Sequence, residues 1–432
     1  MALPSPAATT GTTNFDAAMK QIYRPSNVKK LTYEDRPLLA LLPKFEGFGG
    51  RNMPVVVKWG HPQGRSITFA TAQANGSQVM ADDFLLTRVS DYSINYIEAE
   101  VLEASRGDTH AFLNALSEVI DGTLAALADS IETKLFRQGT GTMATLGADA
   151  TAANPMVLTL TYKDEVTLFE YNMELVACAT DGGTALAIYT AAATHVTVAG
   201  VDRSGTTEQI TTDGDTSGET ALWVSGSYIA CQGDLAAAAG TQKAISGLMS
   251  WVPDDAPAAT AFYGVDRTSD TRLGGLRHDA SGGGKLEEHF IKAQSIAAMH
   301  GGKPDILAMH HAQMRRLNIE LGAKKVYADV MGRDKKGPMA TVSFRSVVIE
   351  GDYKPINVVA MNKCQAVKAW LLTIEDWLFA TLGPATKIII DDGLRMLRMA
   401  DQDAFEIRTR FRGNLCTKSP GRNVNITLPA PA

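Results

Sequence analysis

The stretch DTHAFLNALSEVIDGTLAALADSIETKLFRQG, Asp108 to Gly139, decides how the rest of the chain is read. Phe112, Leu116, Val119, Ile120, Leu124, Leu127, Ile131 and Leu135 recur at steps of three and four, the period of one buried helical face. Asp108 is placed to cap the first turn, Lys134 and Arg137 fall in the last turn where the helix dipole favours cations, and Gly139 can take the left-handed position that ends a helix. At ~1.5 Å per residue the predicted helix is roughly 45 Å long, a rod that must lie across something broad. Its remaining faces carry Ala, Ser, Thr and Asp with Gly122, small residues that let a second layer approach. Alone, such a helix fits a bundle as well as a sheet-backed fold, so its flanks decide.

Before the helix, residues 1 to about 30 are small, polar and without period, with Pro25 ahead of a short helical patch from Tyr33 to Leu42. This reads as an arm that gains order by lying on another surface. From Val55 to Trp59, Arg65 to Thr71 and Phe84 to Ile97 the chain turns β-branched and aromatic, with HPQGR and QANGS as turn chemistry between the runs. The pattern predicts a two-stranded excursion from Met53 to about Glu100, and a two-stranded ribbon is barely stable alone.

After the helix, GTGTMATLGADATAAN reads as a flexible connection, and Met156 to Gly247 carries short strand signals separated by DGG, RSGTTE and DGDTSG, the pattern of a small inserted β-barrel or sandwich. A long loop, FYGVDRTSDTRLGGLRHDASGGG, precedes an amphipathic helix from Lys285 to His300. Strand PDILAMH, helix HAQMRRLNIELG and the two strands of VSFRSVVIEGDYKPINVVAM follow. Helices and strands in this order make an α+β or α/β unit. Ala404 to Phe411 alternates as a half-buried antiparallel strand, followed by a terminal tail.

With 432 residues, 45% of them hydrophobic, the chain can build a sizeable core and more than one domain. A formal net charge of −6 argues against a protein whose main work is gripping a phosphate backbone. Cys178, Cys231, Cys364 and Cys416 are far apart and form no CxxC, as expected of free thiols in a reducing compartment. The first residues lack the basic and apolar regions of a signal peptide, and no eighteen apolar residues run together, so no membrane span is expected.

Enzyme signatures fail one by one. SGGGKLEE has Leu286 where a phosphate loop needs Ser or Thr, and GFGGR precedes a strand instead of following one. His310 and His311 are adjacent and point apart, Glu288 and His289 lack a second His, and DGDTSGE begins like a calcium loop but the position that should supply its bidentate Glu is Val224. Asp391, Asp392, Asp401 and Asp403 read as a solvated acidic rim. The expectation is no catalytic residue, no cofactor and no metal. Basic residues gather at Lys324, Lys325, Arg333, Lys335 and Lys336, and again at Arg408, Arg410, Arg412, Lys418 and Arg422. Only Tyr327 and Phe411 stand among them for stacking on bases.

The order of parts resembles the major capsid protein of tailed bacteriophages, the Hong Kong 97-type fold. FYGVDRTSDTRLGG, KPDILAMHHAQMRRL, VVIEGDYKPINVVAMNKC and the long C-terminal run from WLFATLGPATKIIIDDG to CTKSPGRN carry the resemblance collinearly over nearly the whole chain. It implies an α+β fold with an N-terminal arm (1–44), an extended β-loop (45–102), a spine helix with the peripheral domain (103–155), a β-rich insertion (156–247) and an axial domain (248–400). A returning peripheral strand and tail (401–432) complete it. The function implied is a shell subunit that forms hexamers and pentamers of an icosahedral head around double-stranded DNA, assembled in the bacterial cytoplasm. Its implied partners are itself, a separate scaffolding protein, a portal protein and, in some heads, a decoration protein. Inter-subunit contacts are expected at Arg65, Ile67 and Phe69 near the ribbon tip, and between the basic Lys335 and Lys336 and acidic Asp391 and Asp392 of neighbours. Lys58 is the lone Lys between Met53 and Glu100; it reads as a solvated residue beside the ribbon's base, so the covalent weld of one family branch is not expected. The rival readings are a bacterial encapsulin-like compartment shell, whose members are expected to be shorter, and an enzyme or carbohydrate-binding protein with a β-rich accessory module.

Overall fold

The computed structural model describes residues 9–10, 36–104, 115–150, 155–183, 195–204, 208–213, 223–235, 242–321, 347–390, 394 and 396–431. Among them the chain forms three sheets of seven, six and six strands and one separate two-stranded hairpin.

At the centre of the seven-stranded sheet runs Ala404–Thr417, the returning strand, whose apolar and polar residues alternate as the sequence predicts. Ala404 to Gly413 pair antiparallel with Glu98 to Val89, and Gly413 to Thr417 pair with Thr381 to Trp377. Thr9–Thr10 lies parallel to Tyr96 and Ile97 at one edge, and Lys44–Phe45 parallel to Phe379 and Ala380 at the other.

The long helix, described over Ala115–Phe136, crosses one face of this sheet. Asn95 donates to Thr123 at 2.7 Å, and Ser130 and Lys134 both donate to Asp91, at 2.8 and 2.7 Å. Val119, Leu127, Ile131 and Leu135 are buried as the spacing requires. The expected cap Asp108 and Phe112 lie outside the described residues. Gly139 does take a left-handed φ of +81°. Gly122, expected to admit a second layer, has nothing among the described residues within 4 Å of the place a Cβ would occupy. The close approach is made at Gly247, where a Cβ would sit 2.4–2.5 Å from the carbonyl oxygens of Lys134, Leu135 and Arg137.

The inserted sheet runs in the order Thr142–Thr145, Tyr228–Cys231, Glu174–Cys178, Val196–Val201, Gln209–Thr212, Met156–Thr159. Thr142–Thr145, read from sequence as part of a flexible connection, is its first strand and is largely buried. A bridge between Leu146 and Leu160 joins the first strand's end to the last, so the sheet closes on itself. Met156, Leu158, Leu175, Val198, Ile210, Trp223 and Ile229 fill a core separate from the main one.

The third sheet is mixed, in the order Leu276–Asp279, Val424–Thr427, Lys368–Leu372, Ile306–Met309, Ile356–Ala360, Val347–Ile349. Helices Leu286–Met299 and His311–Leu321 pack with Leu307, Met309, Leu371 and Ile426 on one side, while Ala308, Trp370 and Leu372 belong to the main core with Trp251 and Ile131. The segment read as a terminal tail supplies Val424–Thr427, an interior strand of this sheet. The chain leaves the sheet at Leu372, enters the seven-stranded sheet at Trp377 and comes back at Val424, so residues 248–400 are shared between the two.

The hairpin pairs Asn52–Gly60 with Met80–Thr87. Its return strand stops at Thr87, short of the expected run to Ile97. Arg88 donates to the Phe48 carbonyl at 3.0 Å and lies 5.5 Å from the Phe48 ring centre, and beyond this pivot Val89–Glu98 belongs to the seven-stranded sheet. The apolar run from Arg65 to Thr71 is no strand: its second half enters a short helix, Phe69–Ala74, where the Ala-rich FATAQA favours helix over extended chain.

Candidate assembly surfaces

Alternation divides the hairpin into two unlike faces. Val55, Val57, Phe84 and Leu86 point inward and are buried. Phe84 meets Trp251 edge-on with ring centres 5.1 Å apart, and Trp251 meets Phe262 at the same distance. On the outer face Val56 stands opposite Asp83 and Pro54 opposite Leu85, and Val56 is 68% exposed. Arg65, Ile67 and Phe69 lie together at the far end, all exposed: Ile67 fully, Phe69 at 84%. Val79 and Met80 add further open apolar surface there. Contiguous apolar area of this kind marks a contact with another chain more often than it marks chance.

Lys58 lies farther out than its sequence reading placed it. The hairpin starts at Asn52, so Lys58 lies about 20 Å along the strand at ~3.4 Å per residue, opposite Ala81 and near the distal end.

A second surface is the sheet face opposite the long helix. Arg408, Arg410 and Arg412 alternate with the buried Thr409 and Phe411, and their cross-strand partners are Ile94, Tyr92 and Ser90. Lys387 pairs with Arg410, and Lys387, Arg410 and Arg412 line a depression of about 130 Å³ with Leu382 and Pro384. Arg412 donates to the Tyr92 hydroxyl at 3.4 Å, and this contact holds the phenol below its ordinary pKa. Arg408 grips Glu406 with two bonds of 2.8 Å. Phe411, counted from sequence as the aromatic among these charges, instead stacks on Phe379 in the core at 5.5 Å. Tyr92 and Ile94 take that place, and the register that brings them there joins positions more than 300 residues apart.

Lys335, Lys336, Asp391 and Asp392 lie outside the described residues, as do Lys324, Lys325 and Arg333. Most of the DGDTSGE turn does too, although Asp213 accepts from the Thr197 amide at 2.6 Å. No group of three or more His, Cys, Asp or Glu among the described residues could hold a metal ion. The four cysteines are free thiols, and burial pushes Cys178 up to about 11 and Cys231 and Cys416 to about 12.

Where the N-terminal segment joins the body, the long helix supplies a polar anchor that periodicity did not reveal. Glu132 is fully buried and accepts from the amides of Leu38 and Leu39 at 3.0 and 2.8 Å. Arg36 bonds Asp129 at 3.0 Å and the Ala125 carbonyl at 3.1 Å. Burial drives the Glu132 carboxyl up to about 7, against the pull of its two amide donors.

No family model matches the chain, and no curated protein matches it. Solved structures similar to it include the capsid of cyanophage A-1(L), with a TM-score of 0.49 and 12% identity over 94% of this chain and 96% of that one. The encapsulin complex from Synechococcus elongatus PCC 7942 gives 0.44 and 9% over 99% and 96%. The phage G structure of major capsid and decoration proteins gives 0.42 and 7% over 99% of both chains. At these scores the weight falls on the chain's own elements. They define an α+β fold: a two-stranded hairpin, a long helix across a sheet with a long returning strand, and a mixed sheet covered on one side by two helices.

Proposed function

We propose that this chain is the major shell subunit of a tailed-phage head and that its function lies in geometry. The observation that carries the reading is the hairpin: one face is fixed in the subunit's core, while the outer face and the tip of Arg65, Ile67 and Phe69 are left open. Such a surface is satisfied by another copy. On this reading the residues before 44 form the arm, the hairpin is the extended loop, and the seven-stranded sheet with the long helix is the peripheral domain. The mixed sheet is the axial domain that closes hexamers and pentamers, and the sheet closed through Leu146 and Leu160 is an insertion. The Arg410 and Arg412 face, with Tyr92 and Ile94 beside it, has the mix of Arg, Tyr and aliphatic groups that interfaces favour. It is a second inter-subunit contact. Lys335 and Lys336 with Asp391 and Asp392 remain candidates for a third. A separate scaffolding protein, a portal protein, packaged DNA and, on some heads, a decoration protein are the partners of such a subunit.

Co-expression with a scaffolding protein followed by negative-stain microscopy tests this. Closed shells of megadalton mass holding nuclease-resistant DNA in infected cells are expected. A monodisperse monomer under every assembly condition would refute the reading, and shells that enclose a protein cargo would turn it to a compartment.

A further inference from the structure

The turn from Phe262 to Val265 breaks a local rule. Phe262 and Val265 exchange backbone hydrogen bonds of 2.9 and 3.1 Å around Tyr263 and Gly264, whose φ values are +50° and +92°. Positive φ at both central positions is the geometry of a type I′ turn, for which Asn-Gly is the relaxed choice. A tyrosine in the left-handed region is strained, and such strain persists where the surroundings demand that side chain.

The surroundings show the demand. Asn414, fully buried on the returning strand, donates through Nδ2 to the Thr87 carbonyl and to the Tyr263 hydroxyl, each at 2.9 Å. Its Oδ1 accepts from the Ser246 amide at 2.9 Å. The Tyr263 hydroxyl lies 2.5 Å from Ser246 Oγ, and Ser246 donates on to Gln242 at 3.0 Å. Donor and acceptor roles run in one direction: the Asn414 amide donates to the Tyr263 oxygen, so the phenol proton points to Ser246. The Tyr263 carbonyl in turn accepts from the Leu85 amide at 2.9 Å. The return strand of the hairpin is thereby held at two backbone points, Leu85 N–H by the strained turn and Thr87 C=O by Asn414. These points lie just before the Arg88 pivot.

We propose that Tyr263 and Asn414 are positioning residues, a polar bracket that fixes the direction in which the hairpin leaves the subunit. The consequence for assembly rests on the shell reading; the bracket itself does not. A hairpin held at its inner face by apolar contacts alone could slide and rock, whereas two directional hydrogen bonds next to the pivot set its angle. The strained Tyr263 is kept because its hydroxyl holds the Asn414 amide, while its backbone carbonyl, which any residue in this turn would supply, takes the Leu85 amide.

Native-state hydrogen exchange of the unassembled chain separates this from a general packing role. Tyr263→Phe deletes the hydroxyl and keeps the ring; Tyr263→Asn relaxes the turn and removes both hydroxyl and ring. In each, exchange at Val55, Val57, Phe84 and Leu86 should rise about tenfold, the size of one lost buried hydrogen bond. Exchange in Ile306–Met309 and in the long helix should stay within about twofold. An unchanged hairpin in either variant, or a rise spread evenly over the chain, overturns the bracket. Particle formation is read alongside, and both variants should give fewer closed shells than the parent. If the parent itself yields no shells, the shell reading fails while the exchange pattern still decides the bracket.

Discussion

The hairpin and the inserted sheet are both built largely of antiparallel strand pairs, yet they bury their surfaces in opposite ways. The insertion wraps its six strands until Leu146 meets Leu160 and fills the inside with Trp223, Leu175, Val198 and Ile229. The hairpin has two strands and nothing to wrap, so it lends Phe84 and Leu86 to the main core and leaves Val56, Ile67 and Phe69 open. Antiparallel pairing therefore does not say whether a β-element is self-sufficient; strand number and closure do. On the function proposed above, an element that cannot close is a means of joining copies.

Changes that fall inside a closed core should cost most. Trp223→Ala should destabilise the insertion by about 3–5 kcal/mol, the usual loss for a fully buried large aromatic. Urea unfolding followed by circular dichroism checks this, and a loss below about 1 kcal/mol would show that the insertion is not held by its own core. Leu86→Ala, on the inner face of the hairpin, should cost about 2–5 kcal/mol and act on the main core instead.

An intermediate effect comes from Glu132. Its carboxyl titrates near 7 in the folded chain and near the ordinary glutamate value when unfolded, so the folded state holds the proton more tightly. The stability this contributes is fully present below the unfolded value and is lost as pH rises through about 7, by about 3 kcal/mol. Glu132→Gln should flatten the fall in melting temperature between pH 5 and pH 8. A slope equal to the parent's would place the pH dependence elsewhere.

The sequence showed what repeats locally and hid what is joined across the chain. The buried face of the long helix, the alternation of Ala404–Thr417 and the existence of the hairpin were all legible, because each is a period of 3.6 or 2 in neighbouring residues. Glu132 was not, since a lone carboxylate on a helix reads as solvated until its acceptors meet the Leu38 and Leu39 amides. The strand Val424–Thr427 was missed because VNIT is short and follows a turn, and only its partners Leu276–Asp279 and Lys368–Leu372 make it interior. Arg65, Ile67 and Phe69 read as contacts from the charge and apolar area they present; all three are exposed, and their contact with another copy is a proposal. Asn414 and Tyr263 carry no local signature, being 151 positions apart.

The smallest expected effect on folding is joined to the largest on assembly, at Phe69. Its ring is 84% exposed on the hairpin's far end, so Phe69→Asp should change the stability of the unassembled chain by less than about 0.5 kcal/mol. Each shell repeats the contact many times, so the yield of closed particles should collapse. Melting temperature of the unassembled chain and particle yield, measured together on parent and variant, should show an unchanged melt beside a lost shell. A melt lowered by many degrees, or particles formed as well as by the parent, would contradict the account.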